Sequence, residues 1–123
     1  MNDEAARVVC AIKTIRCSVA CTEEELHAQV EKALKDSGLE ALHEVRLAPR
    51  CRIDFMSGGV GIEIKKSRPE RAKLIAQLTR YARCEQVEAL VVAAVRGVDL
   101  PRTIAGKPVV QVSLERLWGI SLP

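Results

Sequence analysis

Apolar residues recur at helical spacing in the stretch that follows Thr22: Leu26, Val30, Ala33 and Leu34. Thr22 and Glu25 stand at the two positions of a capping box, in which each side chain satisfies a backbone N–H of the first helical turn. Gly38 is suited to end such a helix because glycine readily adopts positive φ. The pattern therefore predicts a helix that begins after Thr22 and ends near Ser37.

The hydrophobic period then changes from helical spacing to a spacing of two. Residues 43–47, 51–56 and 61–65 alternate in this way and predict three consecutive strands. Ser57-Gly58-Gly59-Val60 separates the second strand from the third, and a Gly-Gly pair is typical of a tight two-residue hairpin turn. We expect the second and third strands to form an antiparallel hairpin around Gly58 and Gly59.

A second helix is predicted from Ser67 to about Cys84. Ser67 and Glu70 have capping-box spacing, and Pro69 is tolerated in a first turn. Residues 87–95 are almost continuously apolar and rich in β-branched side chains, which is typical of a strand covered on both faces. A short strand over 109–112 and a helical turn from Leu114 to Trp118 complete the chain.

These elements predict one α/β domain with a mixed sheet flanked by helices. The strand that follows the second helix returns parallel to the strand before it, because such crossovers are right-handed and parallel. We expect an α-β-β-β-α-β core over 22–95. Residues 1–21 form an N-terminal extension whose pattern fits a helix or a strand equally, and residues 96–123 add a C-terminal strand and helical turn.

Composition narrows the class of protein. The chain has 123 residues, 48% hydrophobic and 28% charged, which is ordinary for a single folded domain. Three aromatic residues are too few for a row of stacking rings of the kind that RRM or OB domains use. The five cysteines include no C-x-x-C pair, so buried free thiols are favoured over a disulfide framework or a zinc ribbon.

The N-terminus and the apolar runs bear on location. Met1-Asn2-Asp3-Glu4 is acidic, unlike the start of a secretory signal, and no apolar run has the length of a membrane span. We therefore expect a cytoplasmic protein with no membrane partner.

The formal net charge of +3 is unevenly distributed, since seven residues from Lys65 to Arg83 are basic and one is acidic. Such a run is either a solvated helix face or a surface for polyanions.

The hairpin turn fixes which residues face each other. With Gly58-Gly59 at the turn, Phe55 lies opposite Ile62 and Asp54 lies opposite Glu63. Strict alternation then separates two sets of side chains. One face carries Arg52, Asp54, Glu63 and Lys65, and the other carries Ile53, Phe55, Ile62 and Ile64.

Two carboxylates directly across a hairpin repel each other unless a cation lies between them. Oxygen ligands from one or two carboxylates, completed by water, are what Mg²⁺ prefers. Lys65 follows Glu63 by two residues on the same face, where an ammonium can reach a bound water or an anionic oxygen. The simpler alternative is that Asp54 and Glu63 pair with Arg52 and Lys65 on a solvated sheet face.

Two motifs together resemble a known family. Asp54-x8-Glu63-Ile64-Lys65 resembles the core motif of the PD-(D/E)xK nuclease superfamily, and Gln77-x3-Tyr81 resembles the Q-x-x-x-Y helix motif of its RecB-type exonuclease branch. The small size and the leading acidic helix also resemble Holliday-junction resolvases and small phage nucleases. The resemblance covers 22–95, implies a restriction-endonuclease-like core, and departs at Ile53, where the family name has proline.

Carried over to these positions, the resemblance implies that Asp54, Glu63 and the Ile64 carbonyl bind Mg²⁺, for which Mn²⁺ can substitute. Lys65 would orient or deprotonate the attacking water. The residues expected to contact nucleic acid are Lys66, Arg68, Lys73, Gln77, Arg80 and Tyr81, with support of the metal site as an alternative role for Gln77 and Tyr81.

The family often adds a carboxylate from its first helix, and Glu23 is our choice for a catalytic, metal-binding acid. Glu25 is better explained by the capping box, and Glu44 is a second candidate. We interpret His27 and His43 as packing or surface residues.

The expected function is a Mg²⁺-dependent deoxyribonuclease that hydrolyses phosphodiester bonds, with selectivity for a junction or an end, acting as a homodimer. An alternative is a catalytically silent nuclease-like fold that binds nucleic acid or a protein. A third is an α/β domain whose charges are all structural. The sequence leaves open junction, end, single strand or RNA as substrate, and also endonucleolytic or exonucleolytic action.

Overall fold

A computed structural model of the chain describes residues 3–16 and 21–117, with side chains described up to Glu115. The helices are α1 (Asp3–Ile12), α2 (Glu23–Asp36), α3 (Arg71–Ala82) and α4 (Leu114–Leu117). The strands are β1 (Leu42–Ala48), β2 (Cys51–Ser57), β3 (Val60–Lys65), β4 (Ala89–Ala94), β5 (Thr103–Ile104) and β6 (Lys107–Ser113). The predictions for residues 17–20 and for Trp118 fall outside the described part of the chain.

The six strands form one mixed sheet in the order β1-β2-β3-β4-β6-β5. The pairs β1–β2, β2–β3 and β5–β6 are antiparallel, whereas β3–β4 and β4–β6 are parallel. β4 lies in the interior of the sheet and all six of its residues are buried. The α/β class, the mixed sheet and the buried central strand are therefore confirmed.

Helices cover both faces of this sheet. α1 and α2 pack on one face against Phe55, Ile62 and Ile64, and α3 packs on the other with Leu74 and Leu78. The open question over 1–21 is settled as a helix for Asp3–Ile12, whose Val8 and Ile12 are fully buried. α1 therefore contributes to the main hydrophobic core.

The local signals around α2 and the hairpin are confirmed. Thr22 Oγ1 accepts from the Glu25 N–H at 3.1 Å, and the Glu25 carboxylate accepts from the Thr22 N–H at 2.9 Å. The β2–β3 register pairs Phe55 with Ile62 and Ser57 with Val60. Gly58 has φ of 58°, and a Cβ on Gly59 would collide with the Glu88 carboxylate.

Strict alternation along β2 is wrong at one position. Phe55, Ile62 and Ile64 share one face as predicted and pack toward α1 and α2, but Ile53 packs toward α3 together with Met56. The alternation breaks at Asp54. The pairing of β2 with β3 runs from the turn to Phe55 and Ile62 and ends there. The side chain of Asp54 enters the gap between the strands, so the face assignment of residues before it is reversed.

The predicted start of the second helix is also wrong. α3 begins at Arg71 after an extended Glu70 cap, with φ of −74° and ψ of 124°, and without a side-chain capping bond. Pro69 disfavours the helical region for the residue before it, so Arg68 cannot open the helix. The Glu70 carboxylate pairs instead with Lys73 at 3.6 Å.

The C-terminal part holds one element that the pattern did not indicate. β5 has two residues, too few for any period, and it pairs with the start of β6 across the Ala105-Gly106 turn. β6 begins at Lys107 and is longer than the predicted 109–112. Among the helices described here, none is long and apolar enough to cross a membrane.

Candidate functional site

Asp54 lies where β2 and β3 separate. Its Oδ2 accepts a hydrogen bond from the Ile64 N–H at 2.8 Å, so the carboxylate takes the place that a carbonyl of β2 would occupy in a continued ladder. In a strand, the N–H and the C=O of one residue face the same neighbour. The carbonyl of Ile64 therefore faces the same gap as the Asp54 carboxylate, and two oxygen donors converge there.

Glu63 is the buried acid of the site, with only 4% of its surface exposed. Its pKa is raised to about 7, chiefly by burial and next by the negative charge of Asp54. The ammonium of Lys65 and a hydrogen bond with Tyr81 act against this rise. The carboxylates of Asp54 and Glu63 are therefore close enough to repel each other, although Asp54 lies between the strands and Glu63 points toward α3.

Lys65 lies on the same side of β3 as Glu63, because the two residues are two positions apart in the strand. Its Nζ lies 3.3 Å from Oε2 of Glu63, and the side chain is 27% exposed. The ammonium therefore contacts the buried Glu63 carboxylate and is also accessible from the surface. A general base or an electrostatic stabiliser needs this combination of contact with the site and access to a ligand.

Tyr81 holds Glu63 from the other side. Its hydroxyl donates to the carbonyl of Arg52 at 2.8 Å, lies 3.1 Å from Oε1 of Glu63, and accepts from Nε2 of Gln77 at 2.9 Å. The predicted i, i+4 pairing of Gln77 with Tyr81 is thus present on α3. Tyr81 is 2% exposed and its hydroxyl faces Glu63, which favours its alternative role of supporting the metal site over contact with nucleic acid.

The three candidates for an additional carboxylate occupy different places. Glu25 is held by the capping box at the start of α2. Glu44 pairs with Arg52 at 3.2 Å on the outer edge of the sheet. Glu23 is exposed and lines two adjoining clefts, one of which also contains Asp54 and the other Lys65. Of the three, Glu23 alone lines both clefts that flank the carboxylate pair.

The structure adds a residue that the sequence did not single out. His27, on α2, places Nε2 4.0 Å from Oδ2 of Asp54, and its ring is tilted against His43 with centroids 5.8 Å apart. The interpretation of His27 as a packing or surface residue does not include this contact with Asp54. The signal was the spacing from Glu23 to His27, one turn on the same side of the helix.

Basic residues gather beside this site. A groove of about 600 Å³ lies along the α3 side of the molecule, and we call it the basic groove. Its cations are Lys65, Lys66, Arg68, Lys73 and Arg80, and Gln77 also lines it. Lys66, Arg68 and Arg80 have no acidic partner within the described residues. Five of the six residues expected to contact nucleic acid thus share one groove.

Acidic residues gather on the opposite side of the site. A cleft of about 450 Å³ is lined by Glu23, Glu24, His27, Ala28, Glu31, His43, Glu44, Asp54 and Phe55, and we call it the acidic cleft. No lysine or arginine of the described chain lines it. Asp54 opens toward the acidic cleft and Lys65 toward the basic groove, so the candidate site spans the boundary between opposite charges.

The donor set suits a hard divalent cation. Across 3–16 and 21–117, no three His, Cys, Asp or Glu side chains are grouped so that they alone hold a metal. Zinc, which is usually bound by several histidine or cysteine ligands, does not fit. Mg²⁺ is commonly bound by one or two carboxylates with several waters retained, and Asp54, Glu63 and the Ile64 carbonyl match that requirement. The repulsion between Asp54 and Glu63 is a second reason to expect a cation here, because a bound cation would relieve that repulsion.

Comparison with other proteins adds no assignment to this geometry, since no family model, curated protein or solved structure matches the chain.

Proposed function

We propose that this chain is a Mg²⁺-dependent nuclease that hydrolyses phosphodiester bonds in DNA. One observation carries the proposal: a buried glutamate, Glu63, is repelled by the charge of Asp54 and pairs with Lys65, whose side chain lines the basic groove. Burying a carboxylate beside another negative charge costs stability. Such an arrangement is typical of a binding or catalytic site, and less so of a solvated sheet face.

The fold supports the resemblance to PD-(D/E)xK nucleases. The succession α2, β1, β2, β3, α3 and β4 has the α-β-β-β-α-β order, with an antiparallel meander followed by a parallel crossover. We propose that these elements form a restriction-endonuclease-like core.

Each residue then has a defined task. Asp54, Glu63 and the Ile64 carbonyl would hold the cation, and His27 or Glu23 would complete or orient this set from α2. A divalent cation at this position supplies charge stabilisation at phosphate oxygens and lowers the pKa of bound water. Lys65 stabilises or orients an anionic oxygen at the mouth of the basic groove. Tyr81 and Gln77 fix the carboxylate of Glu63, while Lys66, Arg68 and Arg80 bind backbone phosphates.

Assembly and location complete the proposal. A chain with one such site cuts one strand, so cutting of two strands at a junction would need a second subunit related by two-fold symmetry. We propose a homodimer for that case, and a cytoplasmic location for the protein.

The test is cleavage by the purified chain of linear, nicked, single-stranded and four-way DNA, with Mg²⁺, Mn²⁺ or EDTA. We expect cleavage with either cation and none with EDTA. E63Q and K65A should lose at least about 100-fold in rate, as is usual for the loss of a positioned catalytic group. E85Q, an exposed glutamate away from both clefts, is the matched control. Retained cleavage by E63Q would refute the assignment.

A second candidate function follows from the basic groove alone. Phosphate binding by Lys66, Arg68 and Arg80 needs no metal, so a silent nuclease-like module would bind nucleic acid without cutting it. Calorimetry with Mg²⁺ separates the two candidates, because the silent module should take up no cation at Asp54 and Glu63.

A further inference from the structure

Two thiols meet on the α3 face of the sheet. Four cysteines lie within the described residues, and all four are free. Cys10 is exposed on α1, and Cys21 packs between the sheet and the layer formed by α1 and α2. Cys51 and Cys84 instead share the hydrophobic cluster under α3. The sheet therefore separates this pair of thiols from Cys21.

The side chains of Cys51 and Cys84 contact each other. Their thiols share a hydrogen bond, and the Cys84 thiol also donates to the carbonyl of Arg80 at 3.5 Å. Cys51 is the first residue of β2, and Cys84 follows the end of α3, so the contact joins elements that are far apart in the chain. A disulfide forms only where the two side chains point toward each other. Thiols that already touch meet this condition, and bond formation needs only a small approach of the two sulfur atoms.

The two thiols differ in their access to solvent. Cys51 is 8% exposed, whereas Cys84 is half-buried. Burial raises the pKa of the Cys51 thiol, which is therefore protonated at neutral pH and a poor first nucleophile. A small oxidant thus reaches Cys84 first, while Cys51 lies in position to displace it. An accessible thiol beside a resolving thiol is typical of a reversible redox pair.

We propose that Cys51 and Cys84 are a redox modification site, at which a low-molecular-weight disulfide such as oxidised glutathione converts the two thiols into a disulfide. The Cys84 sulfur forms a bond with one sulfur of the oxidant, and the other sulfur leaves as a thiolate. The Cys51 sulfur then attacks Sγ of Cys84, and the second small thiolate leaves. Two protein thiols are oxidised, and the oxidant is reduced to two thiols that take up the two protons released by the protein.

The disulfide would fasten the two chain segments that hold Tyr81 beside Glu63. Cys51 precedes Arg52, whose carbonyl accepts from the Tyr81 hydroxyl at 2.8 Å, and the Cys84 N–H donates to the Tyr81 carbonyl at 3.0 Å. The bond also closes a chain loop that contains β3 and α3, which removes conformations from the unfolded chain. Oxidation should therefore stabilise the fold. Neither the bond nor its effect on stability depends on cleavage of DNA.

Peptide mapping tests the pairing. The native chain is incubated with oxidised glutathione, the remaining thiols are blocked with iodoacetamide, and trypsin is added. Cleavage after arginine should release residues 51–52 joined to residues 84–96, and dithiothreitol should separate the two peptides. Absence of this linked pair, or residues 84–96 joined to another cysteine peptide instead, would overturn the inference.

Single variants test the order of the two steps. C51S leaves the accessible Cys84 without a resolving partner, so residues 84–96 should retain bound glutathione. C84S leaves the buried Cys51 alone, so residues 51–52 should carry at least about tenfold less glutathione. C10S removes an exposed thiol on α1 and is the matched control, which should form the linked pair as the wild type does. Equal labelling of Cys51 in C84S and of Cys84 in C51S would contradict the inference.

Thermal unfolding measures the consequence for the fold. Oxidation of the wild type should raise Tm by roughly 5 °C or more, and dithiothreitol should reverse the rise. C51S and C84S should show no such rise, and a rise of equal size in either variant would overturn the inference. E63Q, which is expected to lose cleavage, should still form the linked pair. Failure of the nuclease assignment and failure of the redox site are therefore distinguishable.

Discussion

The Tyr81 hydroxyl lies 3.1 Å from Oε1 of Glu63 in the interior between α3 and the sheet. The same hydroxyl donates to the carbonyl of Arg52 at 2.8 Å, and its single proton can serve only one acceptor at a time. Glu63 therefore receives incomplete compensation for its burial. Burial and the charge of Asp54 raise the pKa of Glu63, and the contacts with Lys65 and Tyr81 lower it only in part.

The first prediction concerns the stability of the metal-free protein. The pKa of Glu63 is raised from 4.5 to about 7 in the folded state. Below pH 4.5 the carboxyl is protonated in both states. As the pH rises toward 7 the unfolded chain releases its proton while the folded chain retains it, so the free energy of unfolding falls. The loss is complete above about pH 7 and amounts to about 3 kcal/mol at most.

Urea unfolding in EDTA at pH 5 and pH 8 measures this effect. E63Q has no titrating group at the position, so the difference between its two free energies of unfolding should be smaller than that of the wild type by about 2.5 kcal/mol. The exposed-site variant E85Q should behave as the wild type does. An identical pH dependence in E63Q and the wild type would contradict the burial of an ionisable Glu63.

The second prediction concerns the cation. A ligand that binds only the folded state stabilises it by RT ln(1 + [L]/Kd), so Mg²⁺ at about ten times its dissociation constant should add about 1.4 kcal/mol. Thermal unfolding with and without Mg²⁺ at pH 8 should show a rise in Tm for the wild type. D54N and E63Q should lose the rise, because each removes a charged oxygen ligand. A shift of equal size in D54N would place the cation elsewhere.

The third prediction concerns Tyr81 as a positioning residue. Y81F removes a proton donor from the Arg52 carbonyl and from Glu63, and an unsatisfied buried acceptor costs about 1–3 kcal/mol. Because the Tyr81 hydrogen bond lowers the pKa of Glu63, its loss should raise that pKa further. The pH dependence of stability in Y81F should therefore extend to higher pH than in the wild type. A merely structural tyrosine would lower stability equally at all pH values.

The sequence predicted those features that depend on neighbouring residues in the chain. The Thr22–Glu25 capping box and the Gly58-Gly59 turn are local, and the register of Phe55 with Ile62 follows from the turn. The contact between Gln77 and Tyr81 follows from helical geometry. The other features of the site depend on the tertiary structure, and a hydrophobic period along the chain does not predict them.

Asp54 shows this limit most clearly. Alternation placed its side chain on the same face as Glu63, but β2 and β3 separate there and the carboxylate bonds to the Ile64 N–H. The break also moves Ile53 to the α3 side. The approach of His27 to Asp54 depends on how α2 packs across the sheet. The start of α3 follows from the restriction that Pro69 places on the conformation of Arg68, which the capping-box spacing does not include.

The fourth prediction concerns the basic groove. Arg68 and Arg80 line it and lack an acidic partner in the described residues, so each can neutralise a backbone phosphate. Since each phosphate contact contributes about −0.7 to the slope of log K against log salt for a single strand, R68A/R80A should reduce the slope by about 1.4. Fluorescence anisotropy with labelled single-stranded DNA in EDTA, over a series of salt concentrations, measures the slope without cleavage. K35A, at the exposed end of α2, is the control and should leave the slope unchanged. A slope equal to that of the wild type in R68A/R80A would show that the strand does not run along α3.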